Sequence, residues 1–588
     1  MPGKKSVSMQ RIVKLFKTGV KMQEFFKKEN KIILFLLGFF LFNLYFFFLK
    51  QGSLTTDVGR EFYIPWQMLK GEVLYKDILN IYGPLAYQIN SLAYIVFGQK
   101  ILTLYSLGVI NSFVVLICVY LISREFLDKV FSSLITCFTL YACVFETGLF
   151  NLNMPYSFAM IYGLSSFLLA VLFLIKYSKE EKPLYCYLSC LFSGFALSCK
   201  YEYILFPFLI LFVILFLKPL NKKDIFKSLC ALVCFPIISY GALFLQGVNS
   251  EDIKNAILLL KKMSQTGSIK YLYTYYSGTY FNLKVFYNVI KDFSYLAGVF
   301  FILFSFETLR KRANTKSKEY SYCAFFILLT FLSILLFKLY NGFGFLPVFL
   351  FSCFLLFFKF IIKEPSEFIL YASGIIISLK TFFALNLSVY GVFTLPLVLI
   401  GVIVFLIVTL NRIRTSESVN NAIRTSLIFL LGAFVVYFAF VDFSSLDHKP
   451  AVLKTEKGNI YGGKETVSTY NQLIDFVDNN TEKTDKVVML PETPWINFFT
   501  GRDSDNYYHS LIPLYVETFG EKNIIEHFKK TKPEYIIINN RDTSDYGYRY
   551  MCLDYAVGFC SYIKENYSSA KIIEGKYNAI VYRRKDLK

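Results

Sequence analysis

Thirteen stretches of this chain consist almost entirely of apolar side chains, most of them roughly 17–22 residues long, the length that crosses about 30 Å of hydrocarbon. They fall at 32–49, 101–123, 130–145, 157–175, 184–199, 203–217, 228–246, 295–308, 321–340, 345–362, 368–385, 393–411 and 426–442. Lipid offers the backbone no hydrogen-bond partners, so such runs must be helices. The pair 184–199 and 203–217 also reads as one long broken segment. The expected fold is a polytopic α-helical membrane protein with about thirteen transmembrane helices. The composition agrees, with 55% hydrophobic and 18% charged residues among 588 against nearer a quarter charged in soluble domains.

A net charge of +20 raises the question of nucleic acid, but its distribution answers it. Nine basic residues from Lys4 to Lys31 precede the first run, and further groups lie at Lys176/Lys182, Lys218/Lys227, Arg310/Lys318 and Arg412/Arg424. They recur at every second short loop, as cytoplasmic loops require. The turns 146–156, 341–344 and 386–392 hold neither Lys nor Arg. The basicity therefore serves topology and membrane lipids, with no nucleic-acid partner. The N-terminus is expected in the cytoplasm, and residues 9–28 read as a basic amphipathic helix on that face. An odd number of spans puts the C-terminus outside.

Three long pieces then share the outer side: the first outer loop 50–100, a second at 247–294, and the tail 443–588. The segment 250–263 has helical patterning. The tail alternates amphipathic and apolar segments: helices at 466–480, 521–532 and 555–567, and strands at 485–490, 534–540, 571–575 and 577–584. That pattern predicts a C-terminal extracytoplasmic α/β domain. It has no Gly-rich phosphate loop after any strand. Ten of the twelve cysteines lie in or beside apolar runs. On one straight helix Cys552 and Cys560 stand about 12 Å apart, too far for a disulfide. A bridge requires Cys552 in a turn before the helix.

Charges out of place mark candidate function. Lys200 and Glu202 interrupt two apolar runs, and Lys338 and Lys380 lie near the outer ends of theirs. Intramembrane charge is costly and usually functional, although each lysine also has the option of snorkelling to the interface. Asp57, Arg60 and Glu61 follow the first run directly, on a helix expected to start near Thr56. Phe62, Tyr63 and Trp66 suit the headgroup region. A carboxylate here is placed to act as a general base toward a hydroxyl. Ammonium groups suit a lipid phosphate.

Those residues, with "LKGEVLYKDI" (69–78), "YGPLAYQINSLAYIVFG" (82–98), "NMPYSFAMIYGLSSFLLAVLFL" (153–174) and "FSGFALSCKYEYILFPFLILFV" (192–213), resemble the GT-C superfamily of membrane glycosyltransferases. The branch is that of protein O-mannosyltransferase-like and lipid A aminoarabinose transferase-like enzymes. The stretches 490–508 and 538–548 look like the extracytoplasmic tail of some bacterial members. The resemblance implies a catalytic transmembrane domain over 32–442, after a cytoplasmic segment 1–31. It also implies inverting transfer of a sugar from a polyprenyl-phosphate donor, in the cell (inner or plasma) membrane, with Asp57 as base. Arg60, Glu61, Asp77, Tyr82, Tyr156, Lys200, Glu202, Lys338 and Lys380 are the candidates for donor phosphate and substrate. Family members often pair two acids at this point; here Val58 and Gly59 follow Asp57. Some use an acid in the next outer loop, where this chain has Glu146, with Asn151 and Asn153 as candidates for sugar hydroxyls. The acceptor is a glycan, a lipid or a protein. The sequence requires no cofactor. A divalent Mg or Mn ion bridging Asp57 and the phosphate is compatible with it. The only histidines, His448, His509 and His527, lie in the tail, which excludes a His-built metal site in the membrane. Two rival readings are a transporter or flippase, whose charges should sit near the bilayer midplane, and a polysaccharide polymerase. In the tail, Glu492, Arg502 and Arg541 draw weaker interest.

Overall fold

Apolar runs with no strand alternation fold as helices, and in the computed structural model they do. It describes residues 31–276, 287, 290, 294, 345–379, 390–412, 417–492, 494–575 and 578–587. Two units separate, residues 1–48 and 49–588. The described part of the first is one helix, α1 (Lys31–Phe47). Everything below concerns the second.

Five of its described helices are long and apolar enough to cross a membrane: α4 (Ile101–Arg124), α6 (Phe158–Glu180), α9 (Lys222–Leu245), Val392–Thr409 and Ile423–His448. Shorter apolar helices cover α5 (Lys129–Val144), α7 (Pro183–Cys199), α8 (Tyr201–Leu217), Leu346–Leu356 and Pro365–Ser378. The expected spans 295–308 and 321–340 lie outside the described residues, as do Lys338 and Lys380. Phe158–Glu180 is central and almost wholly buried, whereas Lys222–Leu245 is peripheral and exposes Phe226, Ile237 and Ile238. Between helices, small and polar groups replace water as the adhesive. Asn111 donates to the carbonyl of Ile161 at 3.1 Å, and the Ser189 hydroxyl to that of Ala170 at 2.8 Å.

The first outer loop folds into α2 (Val58–Leu69) and α3 (Leu85–Phe97). Asp57, not Thr56, immediately precedes α2, and its side chain caps nothing because Arg60 engages it. Phe62, Tyr63 and Trp66 do not face headgroups; they are buried under the C-terminal region. Phe62 stacks on Trp495 at 4.9 Å between centroids, Trp66 meets Phe498 at 6.3 Å, and the Tyr63 hydroxyl donates to Asn506 at 2.8 Å. A protein cover buries more of each ring than an interface does, and satisfies the tyrosine hydroxyl as well.

In the second outer loop, α10 (Ser250–Met263) starts at Asn249. The Asn249 side chain accepts from Glu251 and Asp252 amides while Asp252 accepts from the Asn249 amide. This reciprocal cap satisfies donors at both positions. α11 (Gly267–Tyr276) follows.

The C-terminal region is α/β, as its alternation predicts. Its sheet runs β3 (Val487–Leu490), β4 (Tyr535–Asn539), β6 (Ala579–Arg584), β5 (Tyr567–Ile573), with β3 and β4 parallel and the other neighbours antiparallel. A hairpin of β1 (Ala451–Thr455) and β2 (Gly458–Gly462) precedes it. The hairpin and the short helices Trp495–Thr500 and Pro513–Phe519 had no clear periodicity in the sequence. Cys552 occupies a turn ahead of the helix Val557–Asn566, and its Cα comes within 5.5 Å of that of Cys560, so the disulfide forms.

One contact fixes the outer loop against the helices. Gly83 donates its amide to the Cys199 carbonyl at 3.0 Å, and a Cβ there would lie 2.1 Å from the carbonyl oxygen of Ser198. The obstacle is backbone, so neither side can yield cheaply. Gly83→Ala should therefore destabilise the protein by about 1–3 kcal/mol, read as a lower midpoint of thermal unfolding for the full chain in lipid nanodiscs; an unchanged midpoint contradicts the contact.

Candidate functional site

Burying an arginine demands counter-charges, and the start of α2 supplies two. Arg60, 8% exposed, donates to Asp57 Oδ1 at 2.8 Å, to Glu61 Oε1 at 3.3 Å and to the Tyr156 carbonyl at 3.2 Å. The two acids have different surroundings. Glu61 is wholly buried; it also accepts from the Tyr87 hydroxyl at 2.7 Å and the Phe158 amide at 2.8 Å. Burial, opposed by Arg60, holds its carboxyl above the ordinary range. Asp57 instead keeps 24% of its side chain exposed, on the wall of a cavity of about 270 Å³.

That cavity gathers segments far apart in sequence. α2 and the loop before α3 bring Asp57, Arg60, Ile81 and Tyr82; the turn before Phe158–Glu180 brings Tyr156. The break between Pro183–Cys199 and Leu205–Phe212 brings Lys200, Tyr201 and Glu202. Lys200 is extended there, with φ −151° and ψ 130°, so the helix stops and its side chain turns inward. Tyr390, four aliphatic side chains of α10 and α11, and Ile512, Leu514, Tyr515 and Tyr546 complete the described lining.

Two cations flank one aromatic ring. Lys200 Nζ lies 5.4 Å and the Arg60 guanidinium 5.7 Å from the Tyr82 ring centre, within cation–π range. Lys200 also donates to the Tyr156 hydroxyl at 2.9 Å and pairs with Glu202 at 3.4 Å. Their combined charge suits an anion between or beside them. From the tail, Asp545 and Tyr546 come within electrostatic reach of Asp57. Burial, then the Asp57 charge, pushes the Tyr546 phenol up.

Of the expected site residues, the structure brings Asp57, Arg60, Tyr82, Tyr156, Lys200 and Glu202 to one cavity. Glu61 stands behind the wall, holding Arg60. Asp77 does not line the cavity; its carboxylate accepts from the Val73 amide at 2.9 Å within its own turn. Asn151 and Asn153 are wholly buried and do not line it either. Asn151 ties together the backbone of its loop, and Asn153 donates to Gln51 at 2.8 Å. Glu146 is also elsewhere, accepting from the Gly148 amide at 2.8 Å beside Lys449. In the tail, Arg541 pairs with Glu492, and Arg502 with Asp478. Tyr546 lies within 538–548, one of the stretches that carry the family resemblance; Tyr390, Tyr515 and the aliphatic residues of α10 and α11 lie outside all of them.

Those of the described residues that surround Asp57 do not make a divalent-cation cage. Among the described residues no three His, Cys, Asp or Glu side chains converge, and the Asp57 carboxylate already accepts from Arg60.

Glu61 and Glu146 each yield a test. Removing the buried Glu61 carboxylate leaves Arg60 short of counter-charge, so Glu61→Ala should cost about 3–5 kcal/mol of stability, whereas Asp57→Asn, partly exposed and still offering Arg60 an amide oxygen, should lower the unfolding midpoint clearly less. Burial pushes Glu146 up to about 7, with the Gly148 amide and Lys449 opposing. The folded protein then holds that proton where the unfolded chain has released it, so stability falls as pH rises from about 4.5 to about 7. In Glu146→Gln, unfolding midpoints measured across that window should vary less with pH.

Residues 82–241 match the family described as dolichyl-phosphate-mannose-protein mannosyltransferase. Over that segment the chain is similar to membrane glycosyltransferases of the GT-C superfamily, as its sequence resemblance implies. No curated protein matches it. Among solved structures, the chain is similar to the Archaeoglobus fulgidus oligosaccharyltransferase in complex with Zn and sulfate (13% identity, TM-score 0.44, covering 93% of this chain and 73% of that one). It is also similar to ArnT from Cupriavidus metallidurans bound to undecaprenyl phosphate (10% identity, TM-score 0.42, covering 94% and 98%). For the apo state of the same ArnT the identity is 10% and the TM-score 0.45.

Proposed function

We propose that this chain, similar over residues 82–241 to the mannosyltransferase family named above, moves a sugar from a polyprenyl-phosphate donor to an acceptor hydroxyl on the outer face of the cell membrane. The observation that carries the reading is the meeting of one carboxylate, Asp57, with two cations, Arg60 and Lys200, in a single cavity. In this reading about thirteen spans cross the membrane, residues 1–31 are cytoplasmic, 32–442 form the catalytic domain and 443–588 lie outside. Every described lining residue comes from a segment that loop charge assigns to the outer side, which supports that topology.

The chemistry follows from the charges. A lipid phosphate is already a competent leaving group, and it gains negative charge as the glycosidic bond breaks. Lys200 and Arg60 steady that charge where water is scarce. Asp57 takes the acceptor's proton as its oxygen attacks the anomeric carbon from the face opposite the phosphate, which inverts that centre. Glu61 keeps Arg60 in place without meeting substrate. Tyr82 separates the two cations and covers them with its ring. A transporter would hold its charges at the bilayer midplane, and the described lining of this cavity comes from segments expected on one side only.

The test uses membranes holding the full chain, a panel of undecaprenyl-phosphate-linked sugars, and release of undecaprenyl phosphate as the readout. Asp57→Asn should lower turnover by about 10²–10⁴-fold at normal abundance, and Lys200→Met should raise the donor concentration needed for half-maximal rate. Full activity in Asp57→Asn overturns the assignment.

A further inference from the structure

The ring of Tyr82 is shared by the two cations of the cavity, and a residue outside the lining holds Tyr82 there. The turn 73–78 is closed by its own backbone. The amides of Asp77 and Ile78 donate to the Val73 carbonyl at 2.8 and 3.1 Å, the Val73 amide donates to the Asp77 carboxylate at 2.9 Å, and the Tyr75 amide donates to the Ile78 carbonyl at 3.0 Å. Within this turn Tyr75 has φ +69°, left-handed backbone that glycine adopts freely and a bulky residue avoids. Such an outlier persists only where its surroundings over-determine it, and it points to a task for the side chain. The Tyr75 hydroxyl donates to the Tyr82 carbonyl at 2.5 Å and meets the Tyr201 hydroxyl at 3.3 Å. Tyr82 and Tyr201 both line the cavity, one from the first outer loop and one from the helix break. We infer that Tyr75 is a positioning residue: it joins the loop bearing Tyr82 to the break bearing Lys200, and so sets Arg60 and Lys200 about the Tyr82 ring at the spacing a donor phosphate needs. The inference rests on the transferase reading above and deepens it.

Satisfying lone polar groups does not account for this hydroxyl. The Tyr82 carbonyl also accepts from the Asn80 side-chain amide at 2.9 Å, and the Tyr201 hydroxyl also meets that of Tyr240, on α9, at 2.9 Å. Each therefore keeps a partner when the Tyr75 hydroxyl is removed, and what is lost is the link between them. The far end of the chain is anchored. The Ser239 carbonyl, next to Tyr240, accepts from Gln88 of α3 at 2.8 Å. Gly194 of α7 presses on α9 so closely that a Cβ there would stand 2.0 Å from the Leu232 carbonyl oxygen. A row of hydroxyls thus runs from a packed helix through the break to the loop. Two cations act together on one phosphate only at matched distances, and a misplacement of about 1 Å is enough to lose that match. Asp77, which does not line the cavity, gains a purpose here, because it closes the turn that aims Tyr75.

Binding to the full chain in lipid nanodiscs tests this, with undecaprenyl phosphate as probe and undecaprenol, the same chain without the phosphate, as comparator. Tyr75→Phe keeps the ring and loses only the hydroxyl. It should weaken undecaprenyl phosphate binding about three- to tenfold, while undecaprenol binding and the unfolding midpoint stay nearly unchanged. In a Lys200→Met background the same substitution should have little further effect, because the cation whose place it sets is gone. Unchanged affinity for undecaprenyl phosphate in Tyr75→Phe, equal weakening for both lipids, a clearly lowered unfolding midpoint, or an undiminished effect in the Lys200→Met background overturns the inference. Failure of the transferase reading shows separately, as full turnover in Asp57→Asn.

Discussion

The buried guanidinium of Arg60 is the constraint from which the site follows. A cation removed from water must be surrounded by acceptors, and here a carboxylate on each side and one carbonyl supply them. Meeting that demand ties α2 to the turn before Phe158–Glu180 through Glu61 and to α3 through Tyr87. It also divides the labour between two acids four residues apart. The one enclosed by protein donors becomes structural, and the one left on the cavity wall remains available to a substrate.

The helix break at Lys200 is the second half of the same arrangement. A continuous helix would carry its lysine along the surface of the bundle. Interrupting it lets Lys200 reach Tyr156 and share the Tyr82 ring with Arg60. Gly83, pressed against Ser198 and Cys199, brings the loop that bears Tyr82 to that break. The cavity is thus set by backbone contacts between segments more than a hundred residues apart, and its charged side chains are oriented by bonds to one another and to Tyr156, with Glu61 holding Arg60 from behind the wall.

The C-terminal region is more than a cover. Its aromatic residues seal α2 from above through the Phe62–Trp495 stack, and its strand-end loops supply cavity wall. Amphipathic patterning alone assigns Phe62, Tyr63 and Trp66 to the membrane interface. It cannot tell a lipid headgroup from a protein partner, because both accept an aromatic ring with a polar rim. Asn151 and Asn153 misread for a related reason. An amide that serves its own loop and one that serves a ligand have the same local sequence, and only the count of partners already made distinguishes them.

Sequence by itself determined the class of the chain, since a backbone crossing lipid has no choice but the helix. It also leads to an expectation of which segments share a side, because basic residues favour one face of the membrane, and all the described cavity residues come from segments expected on the other. It placed Asp57, Arg60, Tyr82, Tyr156, Lys200 and Glu202 among the candidates because a charge or a tyrosine beside an apolar run is conspicuous. Only the tertiary structure decided that Asp57 faces the cavity while Glu61 props Arg60, that Asp77 serves a turn, and that aliphatic side chains from two distant segments line the same cavity. These outcomes depend on partners supplied from elsewhere in the chain. A side chain's own neighbours in sequence do not record which distant carbonyl, amide or ring will enclose it.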